Sequence, residues 1–314
     1  MCGMICWGSW PSAEKITRNW RTEFFHLDFS LGLFLASLLA IGIYKQSDPG
    51  AAFLKGLLEA DRSAWLWALG GGAFMNAGNL ALLAGIRRVG IAVAFPISVG
   101  LSIVVGTLLT YLVNPKGNLL FLGAGVVLIF LAVITNSVAY GYRKTDGSNK
   151  HRSINDLAIC VVSGTLFMCS GPMFAKAISS TKPLDPNGTC ILYALGSLII
   201  AGPLLIYLTR HPIEERPFSF IAYLHGSTRN HLAGLIGGGI WGAGMLLVFL
   251  PANIVGPALA LAVGQADPLV AALWGVLIWG EFRGAPASAR ALLASMFILY
   301  VAGLACLGFS YRAY

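Results

Sequence analysis

A carboxyl group next to a helix-breaking imide, Asp267-Pro268, sits inside the apolar run 255–282, VGPALALAVGQADPLVAALWGVLIWGEF. If residues 254–280 form one helix, Asp267 has thirteen residues on either side, about 20 Å to each end at the α-helical rise. That depth is the middle of a hydrocarbon slab ~30 Å thick. A carboxylate there costs about 3 kcal/mol or more, so it is expected to face a cavity or a partner and to be functional. Pro268 lacks a backbone donor and leaves carbonyls unpaired, so the helix is expected to break at the acid. The chemistry on offer is proton exchange, with Asp267 taking up and releasing a proton as the cavity opens to each side. The other reading is that Asp267 caps the break or pairs with a cation of the protein.

Further groups could hold a neutral polar solute. Asn76 and Asn79, spaced i, i+3, share one helix face, and their amides offer both donors and acceptors. They serve a solute or bond to neighbouring helices. Gln265 joins Asp267 only if Pro268 distorts the turn between them. Pro96 and Ser98 lie in the counterpart of that break one half-chain earlier, with Pro96 as a kink that shapes the cavity. Trp7, Trp241 and Trp274 offer rings that stack on a planar or sugar solute and donate one hydrogen bond each. Trp10, Trp20 and Trp279 suit the membrane interface better. Glu281 near Arg283 reads as structural, and Glu14, Glu23 and Asp28, interspersed with Lys15, Arg18 and Arg21, read as a solvated loop face.

The elements that must position these groups follow from composition. The chain of 314 residues is 57% hydrophobic and 11% charged, with mean hydropathy +0.75. It is an all-α, polytopic membrane protein. Its 38 glycines suit helices that approach across small residues. Ten transmembrane helices are expected, at 1–10, 29–44, 64–84, 89–113, 119–140, 157–175, 190–208, 232–250, 254–280 and 289–309. The first spans only about 15 Å and reads as truncated. The six cysteines contain no CxxC and read as free buried thiols.

The connections after helices 1, 3, 5, 7 and 9 carry fourteen of the 21 Lys and Arg residues. The excess places those connections in the cytoplasm and both termini outside. The chain also repeats. A shift of 166 lays Gly71, Gly72, Ala77, Gly78 and Leu80 on Gly237, Gly238, Ala243, Gly244 and Leu246. Two five-helix halves are expected, residues 1–143 and 157–314, joined by a short cytoplasmic linker at 144–156. An odd number of spans per half inverts the second half, as in many alternating-access transporters.

Residues 5–15 (ICWGSWPSAEK), 70–79 (GGGAFMNAGN), 89–106 (VGIAVAFPISVGLSIVVG), 237–242 (GGGIWG) and 265–282 (QADPLVAALWGVLIWGEF) resemble the ureide permease family. That family sits beside glucose/ribose porters and rhamnose symporters in the drug/metabolite transporter superfamily. The resemblance covers nearly the whole chain and implies proton-coupled uptake of small polar organic solutes such as ureides, nucleobases or sugars. Plant members are similar to carriers of allantoin and carry a long central loop with a nucleotide-binding-like motif. Here residues 141–155 are short and lack GxxxxGK[ST]. A multidrug or metabolite efflux carrier is the runner-up.

A membrane enzyme or receptor is disfavoured, because His26, His151, His211, His225 and His231 read as lying in or beside loops, without metal-ligand spacing. No cofactor and no metal is implied, with a proton gradient as the driving force. The expected partners are a small-molecule solute and the lipid bilayer, without nucleic acid; pairing into a homodimer is left open. The expected location is a bacterial cytoplasmic membrane.

Overall fold

The computed structural model describes residues 2–17, 20–43, 48–113, 117–142, 154–213, 217–249 and 265–312. Among them every regular element is helical: α1 (Cys2–Ser9), α2 (Ser12–Ile16), α3 (Thr22–Ser37, extended by a 3-10 stretch Leu38–Ile43), α4 (Pro49–Glu59), α5 (Arg62–Val89), α6 (Ile91–Val113), α7 (Leu119–Tyr142), α8 (Ile154–Ala177), α9 (Pro186–Arg210), α10 (Phe220–Leu224), α11 (Thr228–Phe249), α12 (Asp267–Leu273, continued by a π-turn Trp274–Ile278) and α13 (Ala287–Arg312). Eight helices, α3, α5 to α9, α11 and α13, are long and apolar enough to cross a bilayer.

Among the described residues, eight of the expected ten spans are full-length, and the first and ninth are represented by shorter helices. The expected first span is only α1, followed by a separate turn of helix after Pro11. The front half of the expected ninth span lies outside the described residues, and its back half begins at Asp267 after a turn at Gln265-Ala266. Two further departures have local causes. The second span starts at Thr22, because Thr22, Glu23, His26 and Asp28 are buried inside the helix instead of preceding it. The amphipathic helix α4 was not expected; Asp48 accepts from Ala51 N at 3.0 Å and Pro49 opens the first turn, which starts a helix at low cost.

The packing comes in swapped pairs. Helix α3 lies on α11 and α5 on α9; α5 lies on α8 and α11 on α1; α6 lies on α8 and α12 on α1. Three further contacts, α3 with α9, α6 with α12 and α7 with α13, map onto themselves under the same exchange. At the two tightest crossings, bare backbones meet. A Cβ on Gly32 would enter the Leu235 carbonyl and one on Gly238 the Phe29 carbonyl; a Cβ on Gly72 would enter Tyr193 and one on Gly196 would enter Leu69. Gly72 and Gly238 stand 166 residues apart, the shift at which the sequence matches itself, and Gly32 and Gly196 stand 164 apart. Glycine occupies these positions because interhelical attraction in lipid comes from close packing and not from solvent exclusion.

Pro96 sits inside α6 without breaking it. The carbonyl it strands is met from the next helix: Asn136 on α7 donates to Ala92 O at 3.2 Å and to Val93 O at 3.3 Å. That replacement is how a proline is tolerated where no water reaches.

Candidate functional site

Two polar regions stand out, one half-way along the bundle and one closing an end. At half-depth, Asn76 of α5 is the centre of a buried network in which both its amide nitrogen and its oxygen are engaged. Its Nδ2 donates to Ser30 Oγ of α3 at 2.6 Å and to Ser197 Oγ of α9 at 2.7 Å, and its Oδ1 meets His26 Nε2 at 2.7 Å. Every member is buried, so the amide is spent on joining three helices in this conformation. His26 was expected in a loop and is instead inside α3. It lies in the same polar stretch of sequence as Glu23 and Asp28. Asn76→Ala leaves Ser30, Ser197 and His26 short of partners, and is expected to lower stability by about 2 kcal/mol, read as a drop in Tm of detergent-solubilised protein. Asn79, one turn on, is just as buried, and its Nδ2 has no hydrogen-bond partner among the described residues.

Aromatic rings flank this level. Trp241 of α11 is nearly parallel to Tyr193 of α9, with centroids 6.5 Å apart and an angle of 8°, and Trp7 of α1 lies 5.7 Å from Trp241 on a tilt. Trp7 Nε1 donates to Trp241 O at 3.1 Å. The Tyr193 hydroxyl is 2.5 Å from Ser170 Oγ, which also donates to Gly71 O. Trp274, in the π-turn, donates from Nε1 to Ser9 Oγ at 2.8 Å. Helix α1 thus lies between α11 and α12 and touches both tryptophans. Ser98 donates to Cys160 O at 3.0 Å and holds α6 to α8. Gln265 is half-buried in the turn before α12. Asp267 opens α12; its residue is 7% exposed and its Oδ1 has no hydrogen-bond partner among the described residues. The structure therefore groups Trp7, Trp241, Trp274 and Asp267 around α1, and places Asn76 and Asn79 on α5 and Ser98 and Pro96 on α6.

One end of the bundle is closed by acids and bases. Glu14 accepts from Arg87 Nε at 2.9 Å and from Thr22 Oγ1 at 2.7 Å, and Arg87 also donates to Trp20 O. Lys15 pairs with Glu281, whose two carboxylate oxygens accept Ile91 N and Ala92 N at 2.9 Å each. Glu23 pairs with Arg21 at 3.1 Å and accepts Ile213 N at 3.0 Å. Asp28 accepts from Tyr223 Oη at 2.6 Å and from His231 Nδ1 at 3.0 Å. Burial pushes the Tyr223 phenol above its ordinary value and the bond to Asp28 adds to that, so Tyr223 remains a donor.

These contacts correct the expectation of a solvated loop face, since Glu14, Glu23 and Asp28 are 3%, 2% and 2% exposed. Buried acids persist only when paired, and each here has a basic or hydrogen-bonding partner from another segment. Glu281 is structural as expected, but its cation is Lys15 and not Arg283. Trp10 and Trp20 are buried as well, Trp10 against Phe29 at 4.5 Å, so neither is an interfacial anchor. All six cysteines are free, but only Cys160 and Cys190 are buried. Among the described residues no group of His, Cys, Asp and Glu is disposed to hold a metal ion.

The model of the ureide permease family matches residues 25–165 and 153–310. "Ureide permease 1" of Arabidopsis thaliana is 24% identical over 98% of this chain and 94% of its own length. "Ureide permease 4" of the same plant is 26% identical over 97% and 94%. "Probable glucose uptake protein GlcU" of Priestia megaterium is 23% identical over 67% of this chain and 68% of its own. A solved crystal structure superposes with a TM-score of 0.58 at 14% identity, covering 99% of this chain and 96% of that one, which shows a shared fold.

Proposed function

The chain belongs to the ureide permease family, and from that premise we propose that it moves small polar organic solutes across its membrane by alternating access coupled to proton binding at Asp267. It is an integral membrane transporter, and its relatives are named permeases and sugar uptake proteins. Residues 1–143 and 157–314 act as two inverted halves about the linker 144–156, a reading supported by the swapped helix pairings and by the matched glycine crossings. Both termini lie outside, so the closed end is the cytoplasmic one. The solute lies between the halves, with Trp7, Trp241 and Trp274 offering stacking faces and Asn79 and Gln265 offering amides. A neutral hydrogen-bonding solute, ureide-like, nucleobase-like or a sugar, suits that inventory better than a cationic drug.

The observation that carries the mechanism is the polar closure itself. Lys15 with Glu281, Asp28 with His231 and Tyr223, and Glu23 with Ile213 N each join the first half to the second at one end. A carrier of this kind must seal one side while the other opens, and contacts that cross between halves are the ones that part. The test is uptake by the reconstituted full-length chain across an imposed pH gradient with labelled allantoin, uracil, rhamnose and glucose. Accumulation of none of the four above a gradient-free control overturns proton-coupled transport of this solute class. Glu281→Gln removes the charge from the Lys15 pair and weakens the cap on α6. It is expected to raise the labelling of a cysteine placed at Ser98 by a membrane-impermeant thiol reagent added from the cytoplasmic side. Labelling unchanged from the single-cysteine control counts against the gate.

A further inference from the structure

Tyr300 lies half-way along α13 and is fully buried, yet its hydroxyl has no hydrogen-bond partner among the described residues. A buried phenol almost always finds a partner, so its orphan state points to one that comes and goes. Helix α12 runs antiparallel to α6 with Gly275 against Ala92 and Glu281 on the Ile91 and Ala92 amides. Eight residues along each helix, Asp267 comes level with Gly100. A Cβ on Gly100 would be 3.5 Å from Tyr300 Cε2 and 3.7 Å from its hydroxyl. Val133 fills the space beside Gly100, 2.6 Å from such a Cβ, so the phenol is held against α6 at the level where a second orphan, Asp267 Oδ1, is buried. Helices α1, α6 and α7 carry no Lys, Arg, His or acid, and on α13 the only such groups are Arg290 and Arg312, near its two ends.

We propose that Asp267 and Tyr300 form one proton-binding pair at mid-depth, in which the Tyr300 O–H donates to the Asp267 carboxylate when it is ionised and lets go when it is protonated. Tyr300 is a positioning residue. It holds the ionised state in place of water, and the proton itself passes between the aqueous phase and the Asp267 oxygens. This rests on the coupling role of Asp267 and adds the group that sets the pH at which that role operates.

The test needs no solute. The carboxyl infrared band of Asp267, identified by its loss in Asp267→Asn, is titrated in the detergent-solubilised full chain and in Tyr300→Phe, which removes one oxygen and keeps the ring. Without the phenol donor the carboxyl keeps its proton to higher pH, and the band is expected to persist about one pH unit further, the size of one charge-assisted hydrogen bond. Equal midpoints in the two proteins, with matching melting temperatures, overturn the assignment of Tyr300 and leave the coupling role standing. If Asp267→Asn removes no titrating band, the coupling role itself falls, and the pair with it.

Discussion

In Asp267→Asn protein reconstituted into liposomes, gradient-driven accumulation of solute is expected to disappear while exchange of labelled for unlabelled solute continues. The amide has the shape and hydrogen-bonding capacity of the protonated acid but releases no proton. A carrier that moves one proton per solute concentrates it up to about tenfold for each pH unit of gradient, the energy of one unit being about 1.4 kcal/mol. The variant is expected to stop at equal concentrations on both sides. Both measurements on the same vesicles separate a lost coupling step from a lost fold, because a misfolded carrier loses exchange too. Wild-type accumulation by the variant would remove Asp267 from the coupling role. The prediction draws its force from burial: the carboxyl is enclosed on α12 with one oxygen lacking a partner, and a buried acid that ionises needs a reason to be there.

The second large effect concerns assembly. Gly238→Ala is expected to prevent recovery of monodisperse protein from the membrane, whereas Gly239→Ala, one residue along, is expected to behave as wild type. A methyl group on Gly238 enters the carbonyl of Phe29, with Leu33 N only 2.7 Å away, while one on Gly239 meets nothing within 4 Å. Backbone cannot step aside as a side chain can, so α3 and α11 must separate along their length, at a cost of about 3 kcal/mol or more. Gel filtration after detergent extraction reads the result. A normal elution profile for Gly238→Ala would show that the crossing admits a methyl group, and would weaken the matched-crossing support for two equivalent halves.

The eight long spans were legible because each leaves a local mark, a long apolar run, and Asp267 drew notice as a charge inside such a run. The closed end was not, for an equally physical reason. Glu14, Lys15, Arg21, Glu23 and Asp28 mix both signs over a short polar stretch, which is how a solvated loop is also written. Apart from Arg21 with Glu23 and Thr22 with Glu14, burial came from partners far along the chain, Arg87, Glu281, Ile213, Tyr223 and His231, which no short window contains. Tyr300 was hidden differently, as a lone amphipathic side chain inside an apolar helix, and His26 lay in the same polar stretch as Glu23 and Asp28. Pro96 did carry a usable clue. A proline inside a span strands a carbonyl, so a donor on a neighbouring helix was required, and Asn136 is the polar residue that supplies it. Asp48-Pro49 likewise announced α4, being a capping acid followed by the residue best suited to open a helix.

The charges of the closed end also settle how it meets the electric field of the bilayer. Four carboxylates (Glu14, Glu23, Asp28 and Glu281) face three permanent cations (Lys15, Arg21 and Arg87) together with His231. Their sum is zero when His231 is protonated and one negative charge when it is neutral. A potential of 100 mV exerts about 2.3 kcal/mol on each elementary charge carried across, so moving this layer as a body involves at most that much electrical work. A layer this close to neutral therefore gives voltage little grip on it.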